Sequence, residues 1–471
     1  MHFYFSIQIA IFTKSFLLQK IMLKHLTFIM VGGVALLTSC GTGGGQTAPE
    51  WLETDSSAAI SQRLNSDFSL SMEEAKKQLK ELYPEITDED IERYIAGKDL
   101  EVKVIDGKRK MHRKSPRNLK LLNEEIGEPW QGRGADATDE EIAWIDSVTN
   151  SSAGKGDLTN TLYVKYRFSV DVPRHDFLVG DTLRVWVPLP IESERQHGVK
   201  IISTSHNNYI TSTSSESKHN TVYFEQPVSI DSDSILHFEY VGEYNVSAQY
   251  FSPEYILDNI KEYDVDSEIY KEYASVEYPH IIRMDSLANT IVGDEKCPFK
   301  QSELVYDYII AKYPWAGARE YSTIPCIPQY VVEEDHGDCG QVALLYISIM
   351  RSLGVPARWE SGWMIHPGQK NLHDWAEVYF EGVGWVPVDA SFGRYTRSGK
   401  SAVKNFYSTG MDQYRFATNK GVCSTLYPPK KFLRSETVDF QMGEVECSKG
   451  NLFYPGWKKR LDILEMKYVN K

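Results

Sequence analysis

A run of twelve residues from Val342 to Leu353 carries one charged side chain, Arg351, and has a structural signal at each end. Asp338 precedes it as an N-cap, and Gln341 stands three residues later, where its side chain can complete a capping box. Gly354-Val355-Pro356 closes it. A helix so apolar on every side must be buried, and a buried helix needs other elements laid over it. The flanking segments supply strands. Pro356 to Trp363 reads as a strand, Asn371 to Phe380 as the next, and Trp385-Val386-Pro387-Val388-Asp389 returns after Glu381-Gly382-Val383-Gly384 as the second arm of a hairpin. A mixed α+β unit is expected.

Capping also fixes the place of a thiol. Cys339 falls in the first turn, where unpaired backbone N–H groups and the helix dipole favour an anion, so its pKa is expected below that of a free cysteine. The same N–H groups can receive an oxyanion. His373 and Asp389 fall on the two arms of the hairpin. They share a face only if the loop holds an odd number of residues or a bulge intervenes.

Gly337-Asp338-Cys339-Gly340, the helix ending in Arg351-Ser352-Leu353-Gly354-Val355-Pro356-Ala357-Arg358, then His373-Asp374-Trp375-Ala376-Glu377-Val378-Tyr379 and Gly384-Trp385-Val386-Pro387-Val388-Asp389 together resemble the transglutaminase-like superfamily over roughly residues 300–395. The resemblance implies a papain-like core with Cys339 as nucleophile, His373 as general base and acid, and Asp389 orienting the imidazole. It implies an acyl-enzyme formed from a peptide or amide substrate and no cofactor. Water as acceptor gives hydrolysis. A lysine amine gives a γ-glutamyl cross-link, and the triad serves either; a catalytically inactive scaffold is the reading outside enzymes. Papain-like sites add a side chain upstream of the nucleophile to the oxyanion hole, and Tyr313 and Trp315 are the candidates. His336 and His366 compete for the role of base but lack the strand context, and Trp359, Trp375 and Trp385 are read as packing.

Length sets the rest of the architecture, since 471 residues exceed what one hydrophobic core usually holds. Residues 51–150 read as a helical N-terminal region with caps at Ser71 and Thr87, and the basic run Lys108 to Lys114 as a solvated loop. Alternation as in Leu162-Tyr163-Val164-Lys165-Tyr166-Arg167-Phe168 predicts a β-sandwich-like domain over 158–252. A transglutaminase-like catalytic domain over 254–420 follows, then a C-terminal extension, 421–471, that shows no readable pattern.

The first forty residues read as a targeting segment: Lys20 and Lys24, an apolar stretch from Leu26 to Leu37, then Leu37-Thr38-Ser39-Cys40, which resembles a bacterial lipobox with Cys40 as the lipidated residue. Met1 and Met22 are both candidate starts. Residues 41–50 are Gly-rich and suit a flexible tether. The expected location is the bacterial cell envelope, lipid-anchored and facing the periplasm or the cell surface, with contact to the membrane through the lipid. In such a compartment Cys297, Cys326, Cys423 and Cys447 can form disulfides, and spacing does not choose the pairing. No zinc-type spacing of Cys and His occurs, so no metal is expected. A net charge of −14 argues against a nucleic-acid partner.

Overall fold

The computed structural model describes residues 49–469, apart from 131, 213–215 and 277–278. The targeting segment, Cys40 and most of the tether lie outside the described residues.

The N-terminal region folds around its caps. Ser71 and Thr87 each form a capping box, with Glu74 and Asp90, at the start of the helices Met72–Leu82 and Asp88–Ala96. Ala75, Leu79, Ile91, Tyr94, Leu100, Met111 and Leu119 form a small core beneath them. The basic run is not a loop. Lys108–Met111 is the return strand of a hairpin with Val102–Ile105, turned at Asp106 and Gly107, both at positive φ. Its Lys108 and Arg109 side chains face solvent, which hides the strand from a composition-based reading. Lys114, at the end of the run, is half-buried and bonds the Ala318 carbonyl at 2.5 Å.

Two antiparallel sheets form a sandwich. Thr159–Pro173 pairs with Ile235–Tyr250 over almost its whole length, and Leu162, Val164, Tyr166, Phe168, Val170 and Val172 point inward at a period of two. The facing sheet contains Thr182–Pro188 and Thr221–Pro227. Strands from the C-terminal segment complete both. Lys458–Tyr468 adds to the first sheet beside Thr159–Pro173, and Glu444–Glu446 adds to the second beside Thr182–Pro188. The segment without a readable pattern is therefore woven into the sandwich.

A third sheet runs Gly384–Val388, Gln369–Phe380, Ala357–His366, Arg415–Asn419. The helix Cys339–Ser352 lies across one of its faces, where Ala376, Val378, Phe380, Val386 and Val388 meet Val342, Leu345 and Ile349. Trp363, Ile365 and Phe416 from this sheet are buried in the sandwich core. The candidate site is thereby fixed between a helix and a sheet that are each packed on both sides.

Candidate active site

Cys339 is the first residue of its helix. Asp338 accepts from the Gln341 N–H at 3.1 Å, and the Gln341 side chain accepts from the Asp338 N–H at 3.0 Å. This reciprocal cap holds the thiol at the helix N-terminus. Gly340, next in the chain, leaves room for what lies below: a Cβ there would stand 2.6 Å from Asp374 Oδ2.

The hairpin register brings the other two residues together. Phe380 pairs with Gly384, so Glu381, Gly382 and Val383 form a three-residue loop, an odd number. In that register Asp389 continues across from Trp375, two positions from His373 and on the same face. His373 Nε2 lies 2.6 Å from Asp389 Oδ2, and both side chains are buried. Ser391 donates to the other carboxylate oxygen at 2.7 Å. Burial works to raise the Asp389 carboxyl, but the His373 ring and the Arg415 guanidinium outweigh it and hold it below the usual carboxylate range. An ionised Asp389 only accepts hydrogen bonds, so Nε2 donates to it and Nδ1 is the ring nitrogen turned away from the carboxylate.

The thiol departs from the sequence expectation. Cys339 Sγ makes its hydrogen bond to Asp374 Oδ2, at 3.5 Å, the residue after His373. Burial, the Asp374 carboxyl and the Asp338 carboxyl push the thiol well above its ordinary pKa, and the helix dipole does not compensate. A low thiol pKa was expected from the helix start alone; the acidic neighbours that reverse it come from other elements.

The remaining candidates fall as follows. Tyr313 ends the helix Pro298–Lys312, buried beside Tyr308. Trp315 forms a bridge to Gly337, and both line a narrow crevice with Tyr313, Trp130, Ala390 and Ser391. The upstream aromatic hydroxyl that reaches the cap of the helix beginning at Cys339 is neither of these but Tyr321, which donates to Asp338 Oδ1. His336 is tied to the Glu334 carbonyl at 2.8 Å, and His366 Nε2 lies 3.3 Å from Asp412 Oδ1, beside the Arg415–Asp412 pair. Cys297, Cys326, Cys339, Cys423 and Cys447 are all free thiols. Among the described residues no group of His, Cys, Asp and Glu is arranged to hold a metal ion, and no helix is long and apolar enough to cross a membrane.

Sequence reasoning missed Asp374, Arg415, Asp439 and Gln441. For Asp374 the signal was present: residues two, four and six further on are Ala376, Val378 and Phe380, all on the helix-facing side, so a carboxylate shares the core face. Arg415 and the 436–441 segment carry no local signal, because they approach from distant parts of the chain.

Residues 285–390 match the sequence profile of the transglutaminase-like superfamily. The uncharacterized protein YebA of Bacillus subtilis (strain 168) is 29% identical over 177 residues, which are 32% of this chain and 24% of that protein. The chain thus spans about a quarter of that relative. Among solved structures, a proposed cysteine protease from Cytophaga hutchinsonii aligns over 66% of this chain and 94% of its own, at 13% identity and a TM-score of 0.43. The periplasmic domain of TgpA from Pseudomonas aeruginosa aligns over 56% of this chain and 97% of its own, at 14% identity and a TM-score of 0.24. The profile match spans the helix that begins at Cys339 and both arms of the hairpin, and it identifies residues 285–390 as a transglutaminase-like domain.

Proposed function

We propose that this chain is a thiol-dependent hydrolase of peptide or amide bonds, lipid-anchored in a bacterial cell envelope through Cys40. Cys339 attacks the carbonyl carbon, and its proton passes to His373 Nδ1. The imidazolium, steadied by Asp389, returns that proton to the leaving amine. Water then adds to the acyl-enzyme with the same ring as base, and the thiol is regenerated.

What supports this reading above all is the buried 2.6 Å contact between His373 Nε2 and Asp389 Oδ2, which leaves Nδ1 as the ring nitrogen not engaged by the carboxylate. The upward push on the Cys339 thiol favours a second reading, a catalytically inactive scaffold. Alkylation of the full chain by iodoacetamide, mapped by peptide mass because other thiols are present, separates the two. The hydrolase reading expects Cys339 to react faster than Cys297, Cys326 and Cys423, and to lose that advantage in His373→Ala. It also expects new amine termini from envelope peptides with wild type and none with Cys339→Ala. A Cys339 that stays inert, with no cleavage, supports the scaffold. Product formation only when a lysine amine is added would point to cross-linking instead.

A further inference from the structure

A cavity separate from Cys339 opens where the third sheet runs short of a partner strand. Arg415–Asn419 pairs with Ala357–His366 only as far as Ser361, and beyond Asn419 the chain no longer pairs with it. The gap between Arg358 and Trp359 on one side and residues 420–424 on the other is a cavity of about 250 Å³, closed by Tyr273 and Ile281. That is below the ~300–1,000 Å³ of a drug-sized ligand site and suits a small molecule or a chain end. Gly421 lets the walls approach each other, since a Cβ there would stand 2.5 Å from Lys218 Cδ.

The lining is cationic in a chain whose net charge is −14. Lys218, Arg351, Arg358 and Lys420 form part of the wall, and among the described residues no Asp or Glu does. The acids stand behind the wall. Glu272 meets Lys218, Glu377 meets Arg358 and Glu360 meets Arg195, each at 2.6 Å. Lys420 Nζ lies 3.6 Å from Glu360 Oε1, too far for a hydrogen bond. Arg351 bonds the Ala357 and Ser275 carbonyls. Trp359 is 1% exposed, and its indole N–H is buried and meets no acceptor. A buried donor left unpaired is unfavourable, and an acceptor entering the cavity relieves it.

We propose that this cavity is a binding site for a carboxylate, carried by a small free acid or by the end of a peptide. Lys420 supplies charge, the Trp359 N–H supplies a directed donor to one oxygen, and Tyr273 and Ile281 cover the carbon chain. Glu272, Glu377 and Glu360 already match Lys218, Arg358 and Arg195. The small positive excess that remains fits one carboxylate better than a doubly charged phosphate. This site does not depend on the hydrolase reading. It does extend toward Cys339: a Cβ on Gly340 would stand 3.0 Å from Trp359 Cη2, so the indole spans from the cavity to the start of the helix.

Calorimetric titration of the wild-type chain with succinate and with succinamide, its uncharged counterpart, tests the charge requirement without any variant having to fold. Succinate binds, and succinamide is weaker by about tenfold or more, the scale of a hydrogen bond to a charged group. Cys423, a free thiol in the cavity wall, gives an independent readout. Its alkylation by N-ethylmaleimide is mapped by peptide mass at mildly alkaline pH, because burial pushes that thiol up to about 11. Succinate slows this reaction and leaves that of Cys297 unchanged. Trp359→Phe, which keeps a ring and removes the N–H, and Lys420→Met each weaken succinate by about tenfold. N-acetyl-Ala-Ala and its C-terminal amide identify the source. Binding of the free acid and not the amide supports a peptide end, and binding of succinate with neither dipeptide supports a small free acid. Sulfate that competes as well as succinate reveals an unselective cationic patch and overturns the proposal. So does the absence of heat and of Cys423 protection with succinate and N-acetyl-Ala-Ala alike at about 10 mM, enough to fill about nine-tenths of a site with a Kd of about 1 mM.

Discussion

Arg415 Nη1 lies 3.3 Å from Asp389 Oδ2, the same oxygen that meets His373 Nε2 at 2.6 Å. Its Nη2 bonds Asp412 Oδ2 at 2.8 Å, and the Tyr407 hydroxyl donates to that oxygen as well. One buried guanidinium thus bridges two buried carboxylates, and it reaches the site from a strand that follows the hairpin. Arg415→Met leaves both acids without their cation. Removing one partner of a buried ion pair costs about 3–5 kcal/mol, and a urea titration at neutral pH should show a loss of that order. A change below about 1 kcal/mol, the scale of an exposed pair, would mean that water screens the network.

The same network sets an acid limb. Burial raises the Asp389 and Asp412 carboxyls, but Arg415 and their histidine neighbours more than reverse this, leaving Asp389 below and Asp412 well below the ordinary range. A depressed folded pKa contributes stability that is complete above the unfolded value, about 3.9, and is lost as pH falls through the folded one. Urea midpoints measured from pH 5 downward should therefore drop, and the drop should be shallower in Arg415→Met.

Asp374, Asp439 and Glu436 act with the opposite sign. Their folded pKa values are raised, mainly by burial, so the stability they contribute is complete below the ordinary carboxyl range and is lost as pH rises through the raised values. Asp439→Asn removes one of these titrations. Its melting temperature should gain on wild type between pH 5 and pH 8, and equal shifts at both pH values would contradict the assignment of buried, proton-retaining acids.

Gly362 pairs with His373 across one strand boundary and with Ala417 across the other, where the register shifts. A Cβ on Gly362 would run into the Phe416 carbonyl oxygen. The obstacle is backbone, which cannot rotate away. Gly362→Ala should cost about 1–3 kcal/mol or more by overpacking, seen as a lower midpoint in thermal melts. Because the strand opposite carries His373, any residual peptide cleavage should fall by more than the folded fraction does.

Asp389→Asn keeps the shape of the pair and removes its charge, so Nε2 no longer has an anion to select its proton. Loss of the correct tautomer costs about 10⁴ in kcat in a serine protease with an analogous triad. A fall of about 10³–10⁴ in kcat with an unchanged KM is expected here, measured on the envelope peptide that the wild-type protein cleaves fastest.

Local chemistry was legible in the sequence because it spans few residues. The cap on Cys339 needs only Asp338 and Gln341, three apart, and the inward face of Thr159–Pro173 needs only a period of two. The hairpin with His373 and Asp389 was legible as a pair of strands, but its register depended on a three-residue loop that the run Glu381 to Gly384 does not specify. Tertiary structure alone decided the charge around the sulfur. Asp338 and Cys339 are neighbours in the chain, whereas Asp374, Asp439, Gln441 and Arg415 come from other strands and from the C-terminal segment. Helix dipole and capping act within a turn, so a sequence yields a thiol at a helix start; burial and the charge of remote acids act through space, and only the folded chain sets which of them stand beside it.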